Sequence, residues 1–250
     1  MMKRRTILGY KIDSLTMEET LEKINDYIIS RKKCQHVVLN AGKMVLGHKD
    51  HQLKKIINKC EIINADGQSV VWASRFLKSP VPERVAGIDL MYQVIKLAAE
   101  KGYKIYFFGA KEEVVQKVAA IYKNKYPTIN IVGVRNGYNI IESHDVILED
   151  MKCSKADILF LGFGSPQKEY WLRDNISKIG IPFCMGVGGS FDVVAGLTKR
   201  APLWMQKCGL EWFYRFIQEP KRMWKRYLVG NSKFLYLILR EKINIRRPVG

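Results

Sequence analysis

Three loops of this 250-residue chain set chemistry-bearing side chains directly behind apolar runs. In Glu61-Ile62-Ile63-Asn64-Ala65-Asp66-Gly67, Asp66 follows a strand-like segment and adjoins a glycine. An acid in such a loop can face a cleft and take a proton from an attacking hydroxyl. Asp66 is equally well placed to N-cap the helical pattern that runs from Gln68 to Leu77. Asn40 ends the run His36-Val37-Val38-Leu39. It would orient a substrate hydroxyl beside Asp66 if the two strands adjoin, and otherwise serve as a satisfied turn amide.

The other two loops are rich in glycine. Gly162-Phe163-Gly164-Ser165-Pro166-Gln167-Lys168 puts Ser165 at a helix N-cap and Pro166 at the first helical position. Backbone N–H groups then point toward an anion such as a phosphate. In Met185-Gly186-Val187-Gly188-Gly189-Ser190-Phe191-Asp192 the glycines allow close backbone approach, and Asp192 can accept from a ligand's N–H groups. The plain alternatives are an ordinary strand-to-helix turn for the first loop, and tight packing with Asp192 as a cap for the second. Arg84 offers a planar fork suited to a diphosphate, and Tyr138 a ring that can stack on a base. Without context, both residue types are usually surface ion pairs or packing.

Missing patterns narrow the chemistry further. None of the ten aspartates lies two residues from another, so there is no D-x-D to hold a divalent ion against a nucleotide-sugar. His36, His48, His51 and His144 have no metal-ligand spacing. Leaving-group charge would then fall to Arg, Lys and helix N-termini. The five cysteines are scattered and never form C-x-x-C, which predicts reduced, mostly buried thiols. Neither glycine loop completes G-x-G-x-x-G with a ribose-binding acid, which weighs against a nucleotide-dependent oxidoreductase.

The elements that must position these loops alternate. A capping box at Thr16 and Glu19 opens a helix to about Ser30, and His36–Asn40 reads as a buried strand. Further on, helices at about 88–101, 111–125 and 142–153 and one from Pro166 alternate with strands at 104–109, 129–132, 157–161 and 182–185. This pattern predicts an α/β fold, a Rossmann-like largely parallel sheet with helices on both faces and ligands at the carboxyl ends of its strands. A boundary near 196–200 separates an α/β catalytic domain, 1–198, from a basic helical C-terminal appendage, 199–250.

Charge sharpens that division. Lys and Arg total 42 against 24 Asp and Glu, a formal +18, and residues 199–250 alone hold 13 basic and 3 acidic side chains. A balance of this kind draws phosphate, whether of nucleic acid, an anionic bilayer or a diphosphate substrate. Over residues 213–228, Phe213, Phe216, Ile217, Trp224, Tyr227 and Leu228 share one helical side, with basic residues opposite or flanking and a break at Pro220. That predicts either a membrane-facing lid or a packed helix pair with a solvated basic face. A nucleic-acid-binding protein would explain the basic tail but leaves the glycine loops and Asp66 idle. No apolar run approaches the roughly 18 residues of a spanning helix, and the basic start leads into no signal region. The expected location is cytoplasmic.

Several stretches together resemble the WecG/TagA/CpsF glycosyltransferases, glycosyltransferase family 26. They are Asn64-Ala65-Asp66-Gly67, Glu83-Arg84-Val85-Ala86-Gly87-Ile88-Asp89-Leu90, Gly162 to Glu169, Met185 to Asp192, Lys199-Arg200-Ala201-Pro202 and Gly209-Leu210-Glu211-Trp212-Phe213-Tyr214-Arg215. The resemblance implies an inverting, metal-independent enzyme without cofactor. It would move a sugar, N-acetylmannosamine or a related hexose, from a UDP-sugar to a polyprenyl-diphosphate-linked sugar at the inner face of the plasma membrane. It implies Asp66 as general base, with Asn40, Arg84 and Gln167 lining the active site. Tyr138 and Asp192 would surround the uracil, with Gly109, Gly164, Gly186, Gly188 and Gly189 along the UDP. Arg215, Arg222, Lys225 and Arg226 would meet the acceptor diphosphate or the membrane. A homo-oligomer, and no nucleic acid, is expected on the same ground. Where teichoic-type members carry Thr-x-Asn, this chain reads Val38-Leu39-Asn40.

Overall fold

The computed structural model describes residues 4–138 and 143–246, with side chains throughout except at 222, 223, 225, 226, 245 and 246. The chain opens with a hairpin, β1 (Arg4–Ile7) and β2 (Tyr10–Asp13), whose turn residues Leu8 and Gly9 have φ of 51° and 71°. Two successive positive φ angles belong to the tight turn that matches strand twist. Leucine at that place is no turn signal, so the hairpin is not foreseen in the sequence.

Helix α1 (Met17–Ile29) starts from the expected capping box, with Glu19 N–H donating to Thr16 Oγ1 at 3.2 Å and Thr16 N–H to Glu19 Oε2 at 2.7 Å. There follow β3 (Cys34–Leu39), α2 (Ala41–Lys49), α3 (His51–Lys59), β4 (Ile62–Ala65), α4 (Gln68–Phe76) and α5 (Gly87–Lys101). Strand and helix then alternate through β5 (Lys104–Gly109), α6 (Glu112–Lys125), β6 (Asn130–Arg135), α7 (His144–Cys153), β7 (Ile158–Gly162), α8 (Gln167–Ile179), β8 (Phe183–Gly186) and α9 (Ser190–Val194). The rest is helical: α10 (Leu203–Lys207), α11 (Glu211–Gln218), α12 (Pro220–Trp224), a π-helical turn over Lys225–Val229 and α13 (Gly230–Arg246).

Six strands form one sheet in the order β4-β3-β8-β7-β5-β6, and every pairing is parallel. Their central residues are buried because both faces are covered. Phe107, Phe160 and Phe183 pack under α1, α5, α6 and α9. Tyr106, Phe108, Leu159 and Leu161, on the other face, pack under α7 and α8. Val37, Leu39, Ile63 and Ala65 meet α2, α3, α4 and the hairpin. Phe107 stacks on Phe160 at 5.8 Å between ring centroids and meets the edge of Phe191 in α9 at 5.7 Å.

The helical end of the chain divides in two. No residue of α11 is buried, and its chain path breaks at Pro220 as expected. The apolar patch Phe234–Leu239 lies in α13, where Phe234 and Ile238 enter the same core cluster as Met44 of α2 and Val70 of α4. Leu8 N–H donates to Glu241 Oε2 at 2.8 Å, so the last helix is fastened to the first hairpin. Cys34, Cys60 and Cys184 are buried, Cys153 and Cys208 are exposed, and all five are free thiols.

Candidate active site

Parallel pairing of β3 with β4 sets Leu39 opposite Ala65, so the next residues, Asn40 and Asp66, emerge side by side at the carboxyl edge. Asp66 N–H donates to Leu39 O at 2.8 Å and fixes that junction. Asn40 Oδ1 accepts from Lys43 N–H at 3.0 Å and so caps α2. Its Nδ2 has no hydrogen bond among the described residues. Asp66 does not cap α4, whose N-cap is Gly67 without a side-chain bond. Its Oδ1 instead accepts from Gly87 N–H, at the first turn of α5, at 3.1 Å. Among the described residues no protein donor reaches Oδ2, so one oxygen is anchored and the other is left for chemistry.

These residues border a cavity of about 570 Å³ at the carboxyl ends of β3, β4 and β8, bounded on its outer side by α11. Of the residues expected at the site, Asn40, Asp66, Arg84, Gly164, Gly186, Gly188, Gly189 and Arg215 line it. Val38, where a threonine contact would have stood, lines it too. Gly109, Tyr138, Gln167 and Asp192 lie outside it. Gly109, with φ of 120°, crosses β7 so closely that a Cβ would stand 2.7 Å from Gly162 N, which makes it a packing glycine. Tyr138 is 61% exposed. Gln167 is exposed at the start of α8, and the helical rotation of about 100° per residue turns Lys168 toward the cavity in its place. Asp192 is half-buried in the first turn of α9 and is not that helix's cap, which is Gly189. The side chains of Arg222, Lys225 and Arg226 lie outside the described residues.

The first glycine loop also differs from its sequence reading. Pro166 is the N-cap of α8 and the helix begins at Gln167. The Ser165 hydroxyl donates to Glu169 Oε1 at 2.9 Å, drawn to a buried carboxylate instead of capping the helix.

Arg84 belongs to a network of opposite charges at the cavity mouth. Glu211, the first residue of α11, meets Arg84 at 3.3 Å, Arg215 at 3.5 Å and Arg200 at 3.6 Å. Asp89 of α5 receives both Nη atoms of Arg200, at 2.5 and 2.7 Å. Such a two-pronged pair fixes orientation as well as charge. The sequence motifs contained Arg200, Asp89 and Glu211, but nothing in their spacing assigned them to Arg84.

A second polar system runs beneath Asp66. His36 Nε2 bonds Asn64 Oδ1 at 3.0 Å, Asn64 Nδ2 donates to Thr20 Oγ1 at 3.0 Å, and Thr20 Oγ1 donates to Thr16 O at 2.7 Å. Burial pushes the His36 imidazole down to about 3, and the nearby Lys43 and Lys168 charges act in the same direction, so the ring is neutral. Lys43, Lys168 and Glu169 form a buried cluster on the adjoining wall. Lys43 carried no motif signal at all. Among the described residues no three His, Cys, Asp or Glu side chains group as a metal site.

A parallel α/β sheet with an acid, an amide and glycine loops gathered at its strand ends is the architecture of a Rossmann-like enzyme. The sequence model of the Glycosyl transferase WecG/TagA/CpsF family matches residues 5–248, and the chain belongs to that family. It is similar to the N-acetylglucosaminyldiphosphoundecaprenol N-acetyl-beta-D-mannosaminyltransferase of Staphylococcus aureus strain MW2, at 33% identity over 96% of this chain and 94% of that protein. The proteins of the same name from strains NCTC 8325 / PS 47 and MRSA252 are 33% and 32% identical over the same shares.

Proposed function

We propose that this chain is a hexosyltransferase that moves N-acetylmannosamine from a UDP-sugar to an undecaprenyl-diphosphate-linked N-acetylglucosamine, with inversion at the anomeric carbon. The names and near-complete coverage of its relatives support the donor sugar and the acceptor. The observation that carries the mechanism is the pairing of Asn40 and Asp66 at one cavity edge, with Asp66 Oδ1 anchored on Gly87.

In this reading Asp66 Oδ2 takes the proton of the acceptor hydroxyl while that oxygen attacks the anomeric carbon. The bond from that carbon to the β-phosphate oxygen breaks on the opposite face, and its electron pair leaves with UDP. Asn40 Nδ2 steadies the acceptor. Arg84 and the backbone around Gly164 and Gly188 meet the departing charge. Gln167, Tyr138 and Gly109 lie outside the cavity lining, while the Asp192 carboxylate stands beside Gly189, which lines it.

The division into 1–198 and 199–250, with the second part resting on an anionic membrane, is part of the proposal. No helix of the described residues is long and apolar enough to cross a membrane. Phe213, Ile217, Trp224 and Leu228 are all more than 40% exposed, which favours a surface that seeks another apolar phase over a packed helix pair. Basic neighbours would each add about 1 kcal/mol toward an anionic leaflet. Self-association belongs to the proposal as well, and light scattering of the purified chain tests it.

The deciding experiment incubates the protein with a panel of UDP-sugars and a short-chain prenyl-diphosphoryl-N-acetylglucosamine, with and without EDTA. Product from UDP-N-acetylmannosamine, undiminished by EDTA, is expected. Absence of product from every donor rejects the reading.

A further inference from the structure

The cavity wall between α2, α8 and the end of β8 is built on buried charge. Lys43 and Glu169 have side chains only 5% and 2% exposed, and Lys43 Nζ lies 2.7 Å from Glu169 Oε1 as an ion pair without hydrogen-bond alignment. Ser165 Oγ donates to the same oxygen, while Glu169 Oε2 is buried with no hydrogen-bond partner. Burial alone would raise the Glu169 carboxyl, but Lys43, Lys168 and Ser165 outweigh it and hold the group ionised. Next to it, Lys168 is 92% buried by its 8% relative exposure, lines the cavity and donates from Nζ to Gly186 O at 2.9 Å.

Gly186 makes room for that lysine. Its stem runs over Gly186 so closely that a Cβ there would stand 2.6 Å from Lys168 Cδ. Its ammonium lies 3.5 Å from where a Cβ of Gly188 would be, in a loop turn with φ of 54°. A side chain at Gly186 would fill the path along which the lysine stem reaches the glycine loop. The cluster holds two ammoniums and one carboxylate, and the neighbouring His36 ring is neutral. A buried ammonium of this kind is stabilised by an anion that enters the cavity beside it. An ammonium beside a glycine loop is a compact point charge for phosphate oxygens.

We infer that Lys168 is a ligand of the diphosphate of the nucleotide donor, with Lys43 as a positioning residue that neutralises Glu169 and so keeps the Lys168 ammonium directed to the loop. This rests on the reading of the cavity as a nucleotide-sugar site. Gly186 then serves the donor through the lysine it admits, in addition to any direct contact of its own. The acceptor's diphosphate is the other source of the same chemistry. It belongs with Arg215, on the α11 side of the cavity.

Titration calorimetry with UDP, uridine and geranyl diphosphate separates these possibilities. K168M, with folding verified by circular dichroism, is expected to weaken UDP at least tenfold while uridine changes less than twofold. K168R should recover most of the loss. G186A should reproduce K168M, because it evicts the lysine stem, and K43M should weaken UDP with uridine again unmoved. Unchanged UDP affinity in folded K168M, or a loss confined to geranyl diphosphate, overturns the assignment. If K168M does not fold, reductive methylation of the wild-type protein gives the answer: UDP but not uridine should protect Lys168, and equal methylation overturns the assignment. Wild-type protein that binds neither UDP nor any UDP-sugar instead removes the nucleotide-sugar reading itself, an outcome distinct from wild-type binding with indifferent lysine variants.

Discussion

Asp66 and Gly87, 21 positions apart, are joined by a 3.1 Å hydrogen bond from the glycine amide to the carboxylate Oδ1. The bond ties the acid to the first turn of α5 and fixes the direction of its second oxygen. Asn at this position keeps the acceptor but cannot take a proton. D66N should therefore retain its thermal stability and lose roughly 100-fold or more in turnover. Turnover within a few fold of wild type, measured with saturating donor, would reassign Asp66 to structure.

Glu211 fastens α11 to the α/β layer through Arg84 and Arg200. Removing its carboxylate leaves three guanidiniums facing one another, at a cost of about 1 kcal/mol or more for lost charge-assisted bonds. E211A should speed amide exchange in α11 by roughly fivefold, with β5 and β7 unaffected. Hydrogen-exchange mass spectrometry reads this directly, and uniform protection of α11 in both proteins would contradict it.

Acid stability should carry the signature of His36. Its folded pKa is depressed to about 3 by burial, below the unfolded value of about 6.5. As pH falls through that window the unfolded chain binds a proton that the folded chain refuses. Stability is therefore full above the unfolded pKa and declines by up to about 1.4 kcal/mol per pH unit below it. Glu169, whose folded pKa is lowered, adds a loss of the same sign at more acid pH. Urea denaturation from about pH 4 to 6.5 should show a shallower slope for H36Q than for wild type.

Phe107 is fully buried among Phe160, Tyr122 and Phe191. F107A should cost about 3–5 kcal/mol of stability. Because Phe191 belongs to the second glycine loop, donor affinity should fall as well. Calorimetric unfolding and UDP titration on the same sample measure both effects.

Phe213 and Ile217 are 41% and 60% exposed on one side of α11. Replacing both by Ser should leave unfolding nearly unchanged and weaken binding to anionic vesicles by about tenfold or more, the equivalent of burying part of two large apolar side chains. Equal cosedimentation of the two proteins would remove α11 from the membrane contact.

Much of the sheet was legible because β5, β7 and β8 and the Val37–Leu39 half of β3 are short apolar runs between helical patterns, which follows from burial on both faces. The site was legible only as separate loops. That Asn40 adjoins Asp66 depends on the register of two strands, and that Glu211 meets Arg84 depends on a contact across 127 positions. Neither leaves a local pattern. Motif resemblance points to Gln167, whereas the rotation of α8 turns Lys168 inward. The hairpin leaves no turn signal in the sequence because Leu8 occupies a left-handed position that Asn or Gly usually marks. The sequence places α13 in a basic helical appendage, and the structure sets its Phe234 and Ile238 into a core whose other members lie in the first third of the chain.

The segment that carries the exposed aromatics is held at both ends: Glu211 pins its beginning on Arg84 and Arg200, and α13 ties its end to the opening hairpin. It is a strap and not a free end. If that strap settles into a leaflet, the α/β body must settle with it at one height and one tilt. A substrate whose long hydrocarbon stays among the lipids would then meet the crevice at headgroup level, with no need to be lifted into water.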